Sequence, residues 1–435
     1  MQAVIMAGGK GTRLASLTEN KIPKPMAKIA GKPLLEWQIE QFKSYGITDI
    51  ILVVGHLGEL IKDYFRNGDQ LGIHIQYFFE NEPLGSAGSL YYLKKLLLPN
   101  SPFFLVFGDL LFNVDLARMK DFHQKKSAEA TIFVHPNSHP FDSDLVLKDK
   151  NDKVIGFDLK ENDRSNYFYD NCVNAGLFLF NPSFCNKVIK PDKTDLVKDI
   201  LMKMTNQDER LFAYSSPEYI KDIGTPERIK IAEQELINGI VEKRNLKYKQ
   251  KAIFLDRDGT INIHKGLIWE DKDFELYPFA GKAIKIINRA GYLAIVITNQ
   301  PVVARGLCTI EDIEKIHNKM KTLLGKEEAF LDDIRFCPHH PDKGYIGENP
   351  VYKISCQCRK PNIGLIEECV QRYHIDISQS WFIGDSSVDI RTGKNAGCKT
   401  VLVLTGESGK DSKYNDVPDV VATDLYEGIE KILDL

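Results

Sequence analysis

The chain has 435 residues, 43% apolar and 27% charged, with a formal net charge of −3. That length predicts two or three domains, and the near-neutral balance gives no reason to expect a nucleic-acid or membrane partner. The opening MQAVIMAGG lacks the basic stretch of a secretion signal, and no apolar run reaches the ~18 residues of a bilayer span. The eight cysteines are scattered except for Cys337, Cys356 and Cys358. A reducing cytoplasm is therefore expected, without a disulfide framework.

From the start, short apolar runs alternate with helical patterns: AVIMAGG, PLLEWQIEQFKSYG, DIILVVG, GELIKDYFRNG, then FFLVFGD, TIFVH, VIGFDL and AGLFLFNP. Strands alternating with helices predict a mostly parallel, doubly wound α/β sheet. AGGKGTRL follows the first strand. Gly8, Gly9 and Gly11 permit close backbone approach and positive φ, so successive N–H groups can converge on phosphate oxygens, and Lys10 and Arg13 add charge. The stretch is neither a Walker loop nor a Rossmann fingerprint, and a plain strand-to-helix turn is the competing reading.

Further along, PKPM presents Lys24, and PLGSAGSL, at 83–90, is a small-residue loop able to lie against a flat base. FGD ends a strand at Asp109, and DIGTPE begins at Asp222, where capping of the next helix is the rival role. Together these motifs resemble the sugar-phosphate nucleotidylyltransferase family, from the N-terminus to near residue 240. The resemblance implies a Rossmann-like fold with a mixed sheet. Gly8, Gly9, Lys10, Gly11, Thr12, Gly85 and Ser86 would contact an NTP, Arg13 the departing pyrophosphate and Lys24 the reacting phosphates. Asp109 and Asp222 would hold Mg²⁺, and Asn174 and Gly176 of NAG would line the sugar site. A sugar 1-phosphate oxygen would then attack the α-phosphorus, the protein positioning groups and neutralising charge. The family's Phe-x-Glu-Lys is here FDLKE, with Leu159 at the glutamate position and Glu161 as the substitute.

The helical pattern TPERIKIAEQELINGIVEKRN closes this half, and polar, basic LKYKQ follows. The expected boundaries are a first domain over 1–240, a linker over 241–250 and a second domain over 251–435. A second α/β series runs through KAIFLDRDG, YLAIVITNQ, SWFIGD and KTVLVLTG.

FLDRDGT sets two aspartates two residues apart after an apolar strand, a costly arrangement without a cation between them. It has the form of the haloacid dehalogenase superfamily signature. The resemblance implies a doubly wound parallel sheet in which Asp256 is the nucleophile that becomes an aspartyl phosphate. Asp258 would be the acid and base, and Mg²⁺ would be bound by Asp256, the Asp258 carbonyl and Asp385. Thr298 in VITNQ, Lys360 in CRKP and Asp385 in FIGDSSVD, with Asp389 four residues on, arrive in the superfamily's order. Cys337, His339, Cys356 and Cys358 would form a closed structural Zn²⁺ set on a long loop, with His340 as an adjacent competitor and isolated free thiols as the alternative reading.

DRDGTIN, TNQPVVARG, CPHHPD and CQCRKPNIG are similar to the heptose 1,7-bisphosphate 7-phosphatases, a resemblance running from about residue 251 to the end. Arg305 and Arg359 then become contacts for the second phosphate, and Asn299 a sugar or phosphate contact. Removing the 7-phosphate leaves a sugar 1-phosphate, which is what the first half would consume. The expectation is a bifunctional enzyme making a nucleotide-activated heptose for a bacterial cell-surface glycan, with GTP the preferred nucleotide and the α-bisphosphate the preferred anomer. Two alternatives stay open. One is activation of mannose 1-phosphate or another sugar beside a histidinol-type phosphatase; the other is a catalytically silent half that senses nucleotide sugar.

Overall fold

The apolar runs read above become the strands of two separate sheets. The structure, a computed structural model, describes residues 1–9 and 22–434. Lys10, Gly11, Thr12 and Arg13 lie outside the described residues. In chain order the first strands are β1 (Gln2–Met6), a short hairpin of β2 (Lys28–Ile29) and β3 (Lys32–Pro33), β4 (Asp49–Val54) and β5 (His74–Phe79). Next come β6 (Phe103–Phe107), β7 (Leu110–Asn113), β8 (Ala130–His135), β9 (Leu145–Lys148) and β10 (Val154–Asp158). The half closes with β11 (Val173–Phe180), β12 (Leu211–Ser215) and β13 (Tyr219–Asp222).

Nine of these strands form one sheet, in the order β10-β9-β11-β6-β1-β4-β5, with β8 pairing β11 and β12. β1 runs parallel to both β4 and β6, whereas β11 is antiparallel to β6. The sheet is therefore mixed. Its middle strands are buried along nearly their whole length, which is why they read as continuous apolar runs rather than alternating ones. Helix Leu34–Ser44 buries Leu34, Leu35, Gln38, Ile39 and Phe42, a one-sided stripe at helical spacing. β7 and β13 form a separate antiparallel pair that sets Asp222 opposite Leu110.

The second sheet has six strands: β14 (Ala252–Leu255), β15 (Leu293–Asn299), β16 (Asp333–Cys337), β17 (Trp381–Gly384), β18 (Lys399–Val403) and β19 (Val420–Ala422). Their order is β16-β15-β14-β17-β18-β19, and every pairing is parallel. This is the doubly wound parallel arrangement of the haloacid dehalogenase-like fold. Helix Ala280–Arg289 and the C-terminal helix Leu425–Leu433 contribute buried residues to one of its cores.

By contacts the chain divides into two units. One comprises Met1–His135, Val146–Asp158 and Asn174–Asn245. The other comprises Pro136–Leu145, Leu159–Val173 and Leu246–Leu435. Within this second unit the Thr322 hydroxyl bonds both the amide and the carbonyl of Tyr169, at 3.0 and 3.2 Å. No helix among the described residues is long and apolar enough to cross a membrane.

Candidate active sites

In the second unit the fully buried strand AIFL delivers Asp256 to the carboxyl end of β14, in the middle of the parallel sheet. In open α/β sheets the crevice beyond such strand ends is where ligands bind. Asp385 follows β17, the neighbouring strand, and Asp389 lies in the first turn of helix Ser387–Ala396. Oxygens of Asp256, Asp385 and Asp389 lie within 4.8 Å of one another, and all three residues are buried. Lys360 Nζ donates to Asp256 Oδ1 and to Asp389 Oδ1, each at 2.6 Å. The other Asp389 oxygen accepts from the Ser386 amide and hydroxyl, closing a capping box that holds the carboxylate in place.

The electrostatics fit a cation. Burial, with Asp389 and Asp258 adding repulsion against the pull of Lys360, pushes Asp256 up to about 6. Burial and the charges of Asp389 and Asp256 push Asp385 up to about 8. A single lysine does not neutralise three buried carboxylates, and oxygen ligands so grouped suit Mg²⁺. Gly259 permits the crowding: at φ +89° a Cβ would stand 2.3 Å from Asp385 Oδ2.

Asp258 is in a different environment. Its Oδ1 accepts from Arg257 Nη2 at 3.0 Å and from Asn262 Nδ2 at 3.0 Å. Its Oδ2 accepts from Arg257 Nη2 at 2.9 Å and from Gln300 Nε2 at 2.8 Å. Burial opposes its charge, but Arg257, Asn262 and Gln300 outweigh that and hold it below the ordinary carboxylate value. Thr298, at the end of β15, is buried, and its hydroxyl accepts from Gln300 Nε2 at 3.0 Å. Asn299 is a brace for the Lys360 loop: its side chain bonds the Lys360 amide at 3.0 Å and carbonyl at 3.2 Å.

The four expected zinc ligands come together around four atoms. Cys358 Sγ lies 3.2 Å from the sulfurs of both Cys337 and Cys356, and 3.2 Å from His339 Nδ1. Three thiols and one imidazole at such separations match a tetrahedral donor set. His340 is turned elsewhere, its Nδ1 accepting from the Asp342 amide at 3.2 Å. Just beyond, Arg359 Nη1 donates to the His339 carbonyl at 3.1 Å. The Arg305 guanidinium lies 4.4 Å from the Tyr345 ring centroid.

In the first unit, β1 ends at Met6 and leads into Gly8 and Gly9 between the ends of β4 and β6. Lys24 Nζ pairs with Asp109 Oδ2 at 2.6 Å. The Ile223 amide donates to the Asp109 carbonyl at 2.7 Å, so Asp109 and Asp222 meet across the β7–β13 ladder. Asp222 pairs with Arg228, and Thr225 is the cap of helix Pro226–Ile237. The helix-cap role for Asp222 is thereby replaced by an ion pair. Asn174 Oδ1 accepts from the Gly176 amide at 3.1 Å.

Around PLGSAGSL, the Ser86 hydroxyl accepts from the Leu196 amide at 2.7 Å. Gly85, at φ +77°, lies so close to Thr194 that a Cβ would meet its carbonyl at 2.5 Å. Glu161 is exposed, on the segment that groups with the second unit.

Glu80, directly after β5, was not among the expected site residues. A Cβ on Gly8 would stand 2.6 Å from Glu80 Oε2, so the missing side chain admits this carboxylate. Its Oε1 is buried without a hydrogen-bond partner among the described residues. Burial raises its pKa, the Leu84 amide opposing. The sequence signal was its position just ahead of PLGSAGSL.

Residues 2–239 match the nucleotidyl transferase family, and residues 357–428 match the HAD-hydrolase-like family. The first half is similar to a probable mannose-1-phosphate guanylyltransferase of Oryza sativa subsp. japonica. Identity is 34% over 230 residues, covering 52% of this chain and 62% of the relative, so the match spans less than two thirds of that protein. The second half is similar to D-glycero-D-manno-heptose-1,7-bisphosphate 7-phosphatase of Chlorobaculum tepidum, with 35% identity covering 41% of this chain and 92% of the relative. It is also similar to D-glycero-beta-D-manno-heptose-1,7-bisphosphate 7-phosphatase of Haemophilus ducreyi, with 37% identity covering 37% of this chain and 86% of the relative. The chain thus belongs to the nucleotidyl transferase family through residues 2–239 and joins to it a haloacid dehalogenase-like domain of the heptose bisphosphate 7-phosphatase family.

Proposed function

We propose that the protein removes the 7-phosphate of D-glycero-D-manno-heptose 1,7-bisphosphate and transfers a guanylyl group from GTP to the resulting heptose 1-phosphate. The division of labour follows the expected boundaries, with nucleotidyl transfer over 1–240 and dephosphorylation over 251–435. The product is a nucleotide-activated heptose for a bacterial surface glycan. The eight free cysteines suit a reducing cytoplasm.

The observation that carries this reading is the pair of unneutralised guanidinium groups beside the Lys360 loop. Neither Arg305 nor Arg359 has a carboxylate within salt-bridge distance among the described residues, and Arg305 Nε is buried without a partner. Burial, with a smaller push from the like charge of Arg305, holds Arg359 below its ordinary value against the pull of Cys337, Cys356 and Asp342. Two such forks call for a dianion that is not the one being cleaved. A bisphosphate supplies it, and retention of that phosphate yields the donor-ready sugar 1-phosphate.

In the phosphatase step, Lys360 occupies Asp256 Oδ1 and leaves Oδ2 to attack phosphorus. The Oδ2–P bond forms as the bond from phosphorus to the sugar oxygen breaks, and Asp258, ionised in the free site and taking up a solvent proton as the substrate binds, gives that oxygen the proton. Water then attacks the phosphoaspartate, Asp258 takes a water proton, and Asp256 is released. Mg²⁺ held by Asp256, Asp385 and the Asp258 carbonyl would offset phosphate charge, while Zn²⁺ on Cys337, His339, Cys356 and Cys358 would brace the loop that carries Arg359 and Lys360.

In the transfer step, Gly8 and Gly9 approach the triphosphate and Lys24 the reacting phosphates, while Asp109 and Asp222 would hold a second Mg²⁺ that offsets phosphate charge. Glu80 supports guanine as the base. Its carboxylate lies against Gly8 at the end of β1, within reach of a nucleotide seated on that loop. A carboxylate with one oxygen still open accepts further donors, and guanine offers N1–H beside N2–H₂.

The test is incubation with each anomer of heptose 1,7-bisphosphate, each NTP in turn and Mg²⁺, followed by phosphorus NMR and mass analysis. GDP-heptose from the α anomer is expected. Release of the 1-phosphate breaks the reading, and β preference with ATP use moves it to an ADP-heptose route. The guanylyltransferase relatives make mannose 1-phosphate the competing acceptor, and it belongs in the same panel.

A further inference from the structure

Arg257 is the largest fully buried side chain among the described residues, and it is charged. It sits in sequence between the two aspartates of the phosphatase centre. Burying a guanidinium costs several kcal/mol unless its donors are matched, so what it touches matters. Its Nη2 donates to both Asp258 oxygens and to Gln300 Oε1, the last at 3.0 Å. Its Nη1 faces His317 Nε2 at 3.4 Å. Burial, then the charge of Arg257, pushes that imidazole far below its ordinary value, so the ring is neutral and Nε2 can accept.

Gln300 completes a closed circuit. Its carbonyl oxygen accepts from Arg257, and its NH₂ donates to both Asp258 Oδ2 and Thr298 Oγ1. The amide therefore has one orientation that satisfies all three partners. Because Thr298 accepts here, its own hydroxyl hydrogen stays available to a phosphate oxygen. With Asn262 on the other side, both oxygens of Asp258 are engaged and the carboxylate cannot rotate without breaking bonds.

We propose that Gln300 and Arg257, backed by His317, are positioning residues that set the pose of the Asp258 carboxylate and so the direction in which it delivers a proton. This rests on the reading of Asp258 as the acid and base. A sugar alkoxide is a poor leaving group and needs that proton in the transition state; p-nitrophenolate does not. A misplaced donor should therefore slow the two substrates unequally.

The experiment measures kcat for heptose 1,7-bisphosphate and for p-nitrophenyl phosphate in the full-length enzyme with Mg²⁺. Gln300→Met keeps the bulk and removes both hydrogen-bonding functions; Arg257→Lys keeps the charge and loses the fork. In each, kcat on the sugar phosphate is expected to fall about tenfold or more, and on the aryl phosphate less than about threefold. Asp258→Asn is the reference and should show the same inequality more strongly. If Asp258→Asn slows both substrates alike, the acid and base reading fails and the proposal falls with it. If Asp258→Asn discriminates while Gln300→Met or Arg257→Lys, whichever folds, slows both substrates by one factor or neither, the positioning role is overturned and the reading stands.

Discussion

Asp256 and Asp258 are two residues apart, yet their surroundings push them in opposite directions, up to about 6 for the first and below the ordinary value for the second. The consequence for stability has a definite sign. Without metal, Asp256 and Asp385 bind protons more tightly folded than unfolded, where aspartate titrates near ~4. Their stabilisation is complete below that value and is lost as pH rises through about 6 and about 8. Asp258, held low, is ionised in both states across this window and adds no slope. The metal-free protein is expected to melt at lower temperature at pH 8 than at pH 5.5, and Mg²⁺ should raise melting more at pH 8. Scanning fluorimetry checks this, and equal Mg²⁺ shifts at both pH values would refute it. Glu80 gives a second residue-scale prediction. Glu80→Gln should cost GTP about tenfold in kcat/KM, as expected for a charged acceptor lost at ~1.5 kcal/mol, and narrow the gap between GTP and ITP. Unchanged ratios across an NTP panel would remove Glu80 from base recognition.

At the scale of elements, the loop between β16 and helix Gly364–Tyr373 carries two functions. Its four-atom Cys and His cluster stands next in sequence to Arg359 and Lys360. Purified protein is expected to hold one Zn²⁺ there. Cys356→Ser should lose the metal and depress phosphatase turnover by misplacing those two side chains. Zinc-free native protein with full activity, by elemental analysis and assay together, would contradict the bracing role. Arg359→Ala should weaken bisphosphate turnover at least tenfold, since a charge-assisted fork is lost, while a simple monophosphate is affected far less. Equal losses would mean that Arg359 does not hold the second phosphate.

For the whole molecule, the Asp256 centre lies in one contact unit and Asp109, Lys24 and Gly8 lie in the other. Distant sites that share no partners behave additively. Asp256→Asn is expected to abolish phosphate release while leaving pyrophosphate release from a supplied sugar 1-phosphate within about twofold of the native rate. Loss of both activities together would end the two-site account.

Much of this was legible in the linear chain. Apolar runs such as AIFL and QAVIM declared buried parallel strands, because period and length alone distinguish them from surface elements. DRDGT and the Cys and His pairs carried their chemistry in residue types, so Asp256 and Lys360, and the four Cys and His side chains, could be grouped before any geometry brought them together. Other features depend on partners brought together from remote positions. No spacing rule links Glu80 to Gly8, or Gln300 to Arg257 and Asp258, because those contacts arise only once the strand ends are gathered along one edge of a sheet. The same holds for Asp222, where only the fold shows that Thr225 takes the helix cap and that Arg228 pairs with the carboxylate. Residue chemistry and periodicity are local and are written in the sequence, whereas the satisfaction of a buried polar atom depends on which strand ends the fold sets next to it.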